Sequence, residues 1–561
     1  MGRRSRDERA IGLVPEAPAT GLTRGPLHAA GARVRRCPTV HAVTDGWTVA
    51  GVVRGHGETR GGHVAVRGGG SSLTWEELDR RSNRVAQALL AAGAARDDRV
   101  ALLDRNGVDQ VVILFAVLKI GAVYTPLNWR SATREVLELV EDAGSRIVFL
   151  GREFDAHRPA LAASADGPML VPVGDPGGAA LREWAGGHPD RDPGLVSDPG
   201  DVVLQLYTSG TTGRSKGVML TNANLQVLVD GARDVWRVDA TAVNAVTSPL
   251  FHIGGCGWAI NGLAGGGTTV VFRELDPGGL VAGFREEGVT HGFVVPALIG
   301  AMLEVPGTTR ADFAALRSLY YGASPISESL LTRALDTFGP RLEQLYGMTE
   351  TTGAITQLDA ADHDPAGPRA HLLRSAGRPF PWVELRVVDP GSGDECPPGT
   401  VGEVWTRSGQ NMLGYWQNPD ATAATITPDG WLRTGDGGYL DAGGYLFLTD
   451  RIKDMIVSGA ENVYPAEVEN VLAAHPDIAD VAVIGVPDER WGEAVRAVVV
   501  LRQGAEPDAA GIIAFARERL AHYKCPAAVD FMDALPRNPT GKVLKRELRA
   551  PYWAGRSRGV N

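Results

Sequence analysis

A glycine-rich segment with several hydroxyl side chains follows an apolar run at residues 202–207. The segment reads TSGTTGRSKG and occupies residues 208–217. Its glycines allow the backbone to turn so that several amide N–H groups point at one centre, and such amide nests bind phosphate oxygens. The spacing of glycine and lysine departs from the GxxxxGK[ST] pattern of P-loop NTPases, so a kinase or motor NTPase is disfavoured. The candidate polyphosphate-binding residues are Thr208, Ser209, Gly210, Thr211, Thr212, Gly213 and Lys216.

Further motifs accompany this segment in a fixed order along the chain. They are LKIGAVYTPLN at 118–128, PLFHIGG at 249–255, YGASPIS at 321–327, QLYGMTE at 344–350, GEVWTRSGQNMLGYW at 402–416, WLRTGD at 431–436, DRIKDMIVSGAENVYPAEVE at 450–469 and PRNPTGKVLKREL at 536–548. In sequence and order they resemble the adenylate-forming superfamily, which includes acyl-CoA synthetases, firefly luciferases and nonribosomal-peptide adenylation domains. The resemblance covers residues 73–548 and is closest to the AMP-forming, fatty-acid-CoA-ligase-like acyl-CoA synthetases.

The resemblance implies that the protein activates a carboxylic acid in two steps. The acid and ATP give an acyl-adenylate and diphosphate, and coenzyme A then takes the acyl group and releases AMP. Carboxylate and triphosphate are both anions, so cations and backbone amides must neutralise the charge that develops as diphosphate departs. The implied cofactors are ATP, Mg²⁺ and coenzyme A.

The resemblance also implies catalytic roles for single residues. Lys542 is similar to the lysine that lies between the acid's carboxylate and the α-phosphate. Glu350 is similar to the acidic residue that coordinates Mg²⁺, and Thr349 to the hydroxyl that contacts the α-phosphate. The acid is expected among His252, Gly322, Gly347 and the helix after PLFHIGG.

Other residues of the motifs are expected to hold the nucleotide and to move one domain. Tyr346 is similar to the residue that stacks on adenine, and Asp436 and Arg451 are similar to the pair that binds the ribose. The backbone expected to flank the base comprises Gly322, Ala323 and Ser324. Lys453 is similar to the hinge residue, and Gly459 is expected to line the channel of the thiol.

Each of these residues has an ordinary structural interpretation when it is taken alone. Lys542 could be a solvated lysine of a basic tail, and Thr349 with Glu350 could cap a helix. Tyr346 could belong to the core and Asp436 to a turn. Their occurrence together, in the order of the resembling motifs, favours the functional interpretation.

The identity of the acid is the weakest expectation. The segment after PLFHIGG is rich in small, uncharged residues, which predicts an apolar slot or tunnel. Amino-acid-activating relatives carry an aspartate near this position, whereas the chain has Phe251 and His252. A medium- or long-chain fatty acid is expected, with aryl and short branched acids left open.

Three other functions remain as alternatives. The chain could load an acyl or aryl acid onto a carrier protein, although it has no fused carrier domain. It could be an oxygen-dependent luciferase, which shares the adenylation step. It could be a non-catalytic nucleotide-binding protein, but the presence of Lys542, Glu350 and Asp436 argues against this.

The composition is that of an enzyme acting on small molecules. The chain has 561 residues and a formal net charge of -10, which argues against a general nucleic-acid partner. Its four cysteines form no CxxC pair, so neither a zinc site nor a disulfide framework is indicated, and a cytoplasmic location is expected. No apolar run approaches the roughly 20 residues of a membrane helix. Self-association is left open.

Helices and strands must position the motifs. Thr74 and Glu77 form a capping-box pattern that predicts a helix start. Strand, helix and strand then alternate, with strands predicted at 100–103, 122–125, 169–173, 202–207, 268–272 and 292–295 and a helix at 109–118. The alternation predicts an α/β fold, with a large N-terminal body of doubly wound sheets. Short extended runs after residue 383 predict a small barrel-like β subdomain, and a smaller, mobile α+β C-terminal domain follows.

The expected organisation has five parts. They are a disordered Arg-rich extension at 1–45, an N-terminal AMP-binding domain at 46–449, a hinge at 450–454, a C-terminal domain at 455–550 and a tail at 551–561. The extension holds eight arginines within its first 38 residues, and an organelle-targeting or membrane-surface arm is its alternative interpretation.

Overall fold

The computed structural model describes residues 46–164, 167–174, 176–208, 215–324, 326–451, 454–458, 461–488, 492–537 and 543–554. The predicted Arg-rich extension therefore lies outside the described residues. The helices are α1 Val49–Arg60, α2 Trp75–Ala91, α3 Val108–Lys119, α4 Thr133–Ala143, α5 Arg158–Ala162, α6 Ala179–Ala185, α7 Asn222–Trp236, α8 Ile253–Ala264, α9 Pro277–Glu286, α10 Pro296–Leu303, α11 Glu328–Phe338, α12 Pro419–Thr425, α13 Pro465–Leu472, α14 Ala509–Arg517 and α15 Lys545–Arg549.

The strands follow the alternation that the sequence predicts. They are β1 Val64–Gly68, β2 Ser71–Thr74, β3 Arg99–Leu103, β4 Val123–Pro126, β5 Ile147–Gly151, β6 Met169–Val173, β7 Val202–Thr208, β8 Lys216–Thr221, β9 Val243–Val246, β10 Thr268–Val271, β11 His291–Val294, β12 Ser318–Gly322, β13 Leu342–Met348, β14 Gly353–Leu358, β15 Arg378–Pro379, β16 Glu384–Val388, β17 Gly402–Arg407, β18 Gly414–Tyr415, β19 Leu432–Leu440, β20 Leu446–Arg451, β21 Ile456–Ser458, β22 Glu461–Val463, β23 Ile478–Asp488, β24 Gly492–Leu501 and β25 Ala528–Phe531.

Two large, mainly parallel sheets make up most of the chain. One has nine strands in the order β15-β14-β13-β12-β11-β9-β10-β1-β2, and the other has seven in the order β18-β8-β7-β4-β3-β5-β6. Strands β3 and β4 pair in parallel, as do β11 and β12, and a helix connects the two members of each pair. Parallel neighbours require such crossovers, so the mixed α/β architecture predicted from sequence is confirmed.

Both sheets share one apolar core with the helices that cover them. Phe115 of α3, Leu204 of β7 and Leu263 of α8 belong to this core and are fully buried. Helix α3 is apolar around nearly its whole circumference, and its residues are buried on all sides as that pattern requires. The core holds the carboxyl ends of the strands, where the motifs lie, in fixed positions.

Two smaller sheets follow along the chain. Strands β16, β17, β19 and β20 form an antiparallel sheet, which is the small β unit expected after residue 383. Strands β21 to β25 form a five-stranded sheet with its own apolar core around Ile456, Leu472 and Val483. The α+β character predicted for this unit is confirmed, whereas the predicted domain boundaries and the mobility stay predictions.

The predicted start of helix α2 is also confirmed. Thr74 accepts a hydrogen bond from the Glu77 amide, and the Glu77 carboxylate accepts one from the Thr74 amide. This reciprocal capping satisfies two amides that a helix end leaves unpaired. In the described part of the chain, no helix combines the length and the apolar character needed to cross a membrane.

Candidate active site

The glycine-rich segment is bounded by two strands that pair with each other. Thr208 ends β7 and Lys216 begins β8, and the two residues are antiparallel partners. The Lys216 ammonium lies 4.8 Å from the centre of the Tyr415 ring, a cation–π contact. The strand pairing therefore holds both ends of the predicted phosphate loop at one position. The predicted loop residues Ser209, Gly210, Thr211, Thr212 and Gly213 lie outside the described residues.

Glu350 lies in a tight turn directly after β13. Residues Thr349–Thr351 form one 3-10 turn, and Glu350 is 6% exposed. Its Oε1 accepts a hydrogen bond of 2.9 Å from the Tyr415 hydroxyl, and its carbonyl oxygen accepts one of 2.8 Å from the Met412 amide. A buried carboxylate needs such donors, because water is not available to solvate it. The turn thus presents one oriented carboxylate beside Lys216 and Tyr415.

A buried glutamine fixes this turn to the neighbouring segment. The Gln410 amide nitrogen donates to the carbonyl oxygens of Thr351 at 2.8 Å and Ala354 at 2.7 Å. Its Oε1 accepts a hydrogen bond of 2.8 Å from the Trp382 indole, and the Thr352 hydroxyl donates to the Gln410 carbonyl. Gln410 is fully buried, so these bonds form without competition from water. The position of Glu350 is therefore set by packing as well as by its own hydrogen bonds.

Tyr346 and Asp436 come together from two different sheets. The Tyr346 hydroxyl donates a hydrogen bond of 2.7 Å to Asp436 Oδ2. Asp436 lies on β19, and its antiparallel partner on β20 is Arg451. The backbones of the two residues expected to bind the ribose are therefore adjacent. Tyr346 precedes Glu350 by four residues, so one strand end carries both the expected adenine contact and the expected metal ligand.

Two glycines at this strand end have no room for a side chain. A Cβ at Gly347 would lie 1.9 Å from the Gly353 carbonyl oxygen, and one at Gly322 would lie 2.1 Å from the Leu345 carbonyl oxygen. Ala323 follows Gly322 with a φ of 65°, a left-handed conformation that turns the chain away from β12. Gly322 pairs with Leu345, the residue before Tyr346 on β13, so the segment expected to flank the base, which also includes Ser324, begins beside the end of that strand.

His252 lies immediately before helix α8, at its N-cap position. Burial, with the Arg130 charge adding to it, lowers the pKa of His252 to about 3, so the imidazole is neutral at physiological pH. Its Nε2 is buried and has no hydrogen-bond partner among the residues that the structure describes. A neutral ring with an open polar atom can accept or donate one hydrogen bond to a bound ligand.

The remaining predicted positions cannot be placed. Lys542, Lys453 and Gly459 lie outside the described residues, as do the phosphate-loop residues named above. Sequence reasoning missed the roles of Tyr415 and Gln410, which contact the Glu350 turn. Both lie within the motif at 402–416, and that motif was the one signal that could have identified them.

The site offers a divalent cation a suitable but incomplete ligand set. Glu350 supplies a carboxylate oxygen, the ligand type that Mg²⁺ prefers. Among the described residues, no three His, Cys, Asp or Glu side chains gather into a metal-binding group. A metal at Glu350 would need further oxygen ligands, and a polyphosphate carries them. The residues present therefore fit a cation that arrives with its nucleotide.

Comparisons with known proteins identify the family of the chain. Residues 53–416 match the AMP-binding enzyme family and residues 467–542 match the AMP-binding enzyme C-terminal domain. The fatty acid–[acyl-carrier-protein] ligase ScoC of Streptomyces coeruleorubidus is 43% identical, with 88% of this chain and 94% of that protein covered. Feruloyl-CoA synthase of an Amycolatopsis species is 41% identical, with coverages of 87% and 96%.

A solved structure has the same fold as this chain. ATP-bound MatB from Rhodopseudomonas palustris superposes with a TM-score of 0.81 at 32% identity, covering 87% of this chain and 96% of that one. The convergence of Tyr346, Asp436 and Glu350 thus occurs in a fold shared with a nucleotide-bound relative. The chain belongs to the AMP-binding enzyme family and is an AMP-forming acid–thiol ligase of the acyl-CoA ligase group.

Proposed function

We propose that the chain forms an acyl-adenylate at the end of β13 and transfers its acyl group to coenzyme A. The observation that carries the proposal is that the end of β13 makes contacts on both sides: Tyr346 donates to Asp436 of another sheet, and Glu350 accepts from Tyr415, whose ring contacts Lys216 at the end of the phosphate loop. A nucleotide held there would have its base beside Tyr346, its ribose at Asp436 and its phosphates toward Glu350 and Lys216.

In the first step, a carboxylate oxygen of the acid attacks the α-phosphorus of ATP. The new P–O bond forms as the bond to the β-phosphate oxygen breaks, and the electron pair leaves with diphosphate. Lys216 and the loop amides would bind the departing phosphates, and the Thr349 hydroxyl would donate a hydrogen bond to the α-phosphate. Mg²⁺ bound at Glu350 would neutralise part of the phosphate charge.

In the second step, the sulfur of the thiol attacks the acyl carbon. The C–S bond forms, the C–O bond to AMP breaks, and the thiol proton is released. The Nε2 atom of His252 is available to hold the acid's carboxyl oxygen in both steps, because the ring is neutral and this atom has no partner among the described residues. Its role is to orient the acid rather than to carry charge.

Lys542 is assigned to the first step alone. An ammonium between carboxylate and α-phosphate draws two anions together, but it would obstruct the approach of the thiol afterwards. Rotation of the C-terminal domain about Lys453 would remove Lys542 and bring the segment around Gly459 to the acyl carbon. One active site could thereby serve two reactions.

The thiol is assigned to coenzyme A rather than to a carrier protein. Support comes from feruloyl-CoA synthase, whereas ScoC is named for an acyl-carrier-protein substrate, so the carrier remains the second candidate. Thioester yield with coenzyme A and with acyl-carrier proteins as alternative acceptors decides between them. Faster transfer to a carrier than to coenzyme A would overturn this assignment.

The test of the two-step proposal separates the half-reactions. Lys542→Ala should abolish acid-dependent acyl-AMP formation while largely sparing thioester formation from supplied acyl-AMP. Arg546→Ala is the matched control, because it removes an exposed cation four residues away in the same segment. Equal loss of both half-reactions in Lys542→Ala would refute the alternation of domains.

A further inference from the structure

We propose that Phe293 closes the acid site and that the preferred substrate is a compact, planar aryl carboxylic acid. This inference rests on the proposed function, because it concerns the acid that the same site would activate. The sequence favours a medium- or long-chain fatty acid and leaves aryl acids open, and the aryl substrate departs from that expectation because of the side chains that surround Phe293.

Phe293 lies between the two elements that border the acid site. A Cβ at Gly254, in the first turn of α8, would lie 3.1 Å from one edge of the Phe293 ring. A Cβ at Gly322, at the end of β12, would lie 3.5 Å from the opposite edge. His252, the expected acid contact, is two residues before Gly254. The ring therefore packs between the backbone of Gly254 and that of Gly322, at the two elements expected to border the acid.

An aromatic cluster packs behind Phe293. The Trp258 ring centre lies 6.2 Å from that of Phe293 and 5.3 Å from that of Tyr320. Trp236 lies 5.4 Å from both Trp258 and Tyr320. All three rings of this cluster are buried, so the space behind Phe293 is filled by large side chains. An extended alkyl chain directed this way would have to displace several of them.

Hydrogen bonds hold this cluster in place. The Trp258 indole donates to the Ala245 carbonyl at 3.0 Å, and the Trp236 indole donates to Gln357 Oε1 at 2.7 Å. The Phe293 carbonyl accepts a bond of 2.7 Å from the Thr247 hydroxyl. Buried, hydrogen-bonded indoles do not change rotamer without leaving their donors unpaired. The wall is therefore fixed rather than adaptable.

The adjacent wall is apolar and narrow. A Cβ at Gly257 would lie 3.0 Å from Ile253 and 3.9 Å from Leu228. A Cβ at Gly353, beside the Glu350 turn, would lie 3.8 Å from Leu228 and 3.9 Å from Ile253. Backbone and branched aliphatic side chains thus form a second surface near the phenyl ring. A planar ring bound against this surface would contact Phe293 edge to face.

The experiment measures kcat/KM for acyl-AMP formation with phenylpropenoate, octanoate, dodecanoate and hexadecanoate. The wild-type enzyme should prefer phenylpropenoate over dodecanoate by about tenfold or more, the size of discrimination that ring contacts and excluded methylenes give. Phe293→Ala should raise the value for dodecanoate about tenfold and lower that for phenylpropenoate. Phe293→Leu keeps most of the volume, and it should lose the aryl preference without opening the wall.

A glycine variant in helix α8 tests the packing against the Phe293 ring from the helix side. Gly254→Ala adds a methyl group against the Phe293 ring and should reduce activity with phenylpropenoate. Gly300→Ala is the matched control, because its methyl group would meet Leu330 at an ordinary 3.7 Å and it lies in a different helix. Melting temperatures of all variants show whether a change in activity reflects unfolding.

The outcomes separate this inference from the proposed function. Preference of the wild-type enzyme for dodecanoate or hexadecanoate, with normal adenylation, would overturn the inference and leave the proposed function intact. An unchanged acid profile in folded Phe293→Leu would also overturn it. Absence of acyl-AMP with every acid tested would instead contradict the proposed function.

Discussion

Replacing Tyr415 with phenylalanine tests whether Glu350 holds the metal. The substitution removes the hydroxyl that donates a hydrogen bond of 2.9 Å to Glu350 Oε1. It keeps the ring that contacts Lys216. Tyr415 is 7% exposed and Glu350 is 6% exposed, so water cannot readily replace the lost donor. A hydrogen bond to a charged group contributes roughly 1.5–3 kcal/mol net.

The expected effect follows from that magnitude. If the lost hydrogen bond weakens Mg²⁺ binding by about 2 kcal/mol, the Mg²⁺ concentration at half-maximal rate should rise about 30-fold. The rate at saturating Mg²⁺ should change much less, because the carboxylate is still present. Acid-dependent exchange of labelled diphosphate into ATP, measured across a Mg²⁺ titration, provides both quantities.

The chain offers a closely matched control. The Tyr445 hydroxyl donates a hydrogen bond of the same length, 2.9 Å, to the carboxylate of Asp362, which is 7% exposed. Tyr445 belongs to a separate apolar cluster with Leu358 and Leu372. Tyr445→Phe should reduce the melting temperature without shifting the Mg²⁺ dependence. If Tyr415→Phe behaves in the same way, with half-maximal Mg²⁺ within about twofold of wild type, Glu350 does not hold the metal as argued.

Three further substitutions test other parts of the site. Tyr346→Phe removes the donor to Asp436 in a half-buried position and should raise KM for ATP about fivefold, equivalent to about 1 kcal/mol, while kcat changes little; steady-state kinetics measure both. Gln410→Ala leaves two buried carbonyls and one indole without their partner and should cost about 3 kcal/mol or more in urea unfolding, and a cost below about 1 kcal/mol would contradict its clamping role. His252 has a folded-state pKa of about 3, below its ordinary value of about 6.5, so only the unfolded chain binds a proton between these values and stability falls as pH falls through this window. Between pH 7 and pH 5, the wild-type protein should therefore lose about 2 kcal/mol more unfolding free energy than His252→Gln, as measured by unfolding at both pH values.

Much of the fold could be predicted because local patterns determine it. The capping box at Thr74 and Glu77 lies within a few residues of the helix that it starts, and the strand and helix periodicities of β3 and α3 are local as well. Strand pairing over longer distances was not predictable in the same way. Strand β8 returns antiparallel to β7, for example, and the residues themselves do not specify this direction.

The site was predictable to the extent that motifs mark it. Glu350, Tyr346 and Asp436 each lie in a recognisable motif, and the structure places them together. Tyr415 lies 65 residues after Glu350 in the chain, and Phe293 lies 29 residues before Gly322. Their contacts depend on side-chain directions, which sequence spacing alone does not reveal. In the proposed account, Tyr415 orients the Glu350 carboxylate and Phe293 determines which acid fits.

The most direct test of the account is acid-dependent exchange of labelled diphosphate into ATP, measured for wild type and Asp436→Asn. Wild type should exchange label only when a carboxylic acid is present, and Asp436→Asn should need a much higher ATP concentration for the same rate, because the expected ribose contact is lost. No exchange with any acid, or an unchanged KM for ATP in Asp436→Asn, would contradict adenylation at this site.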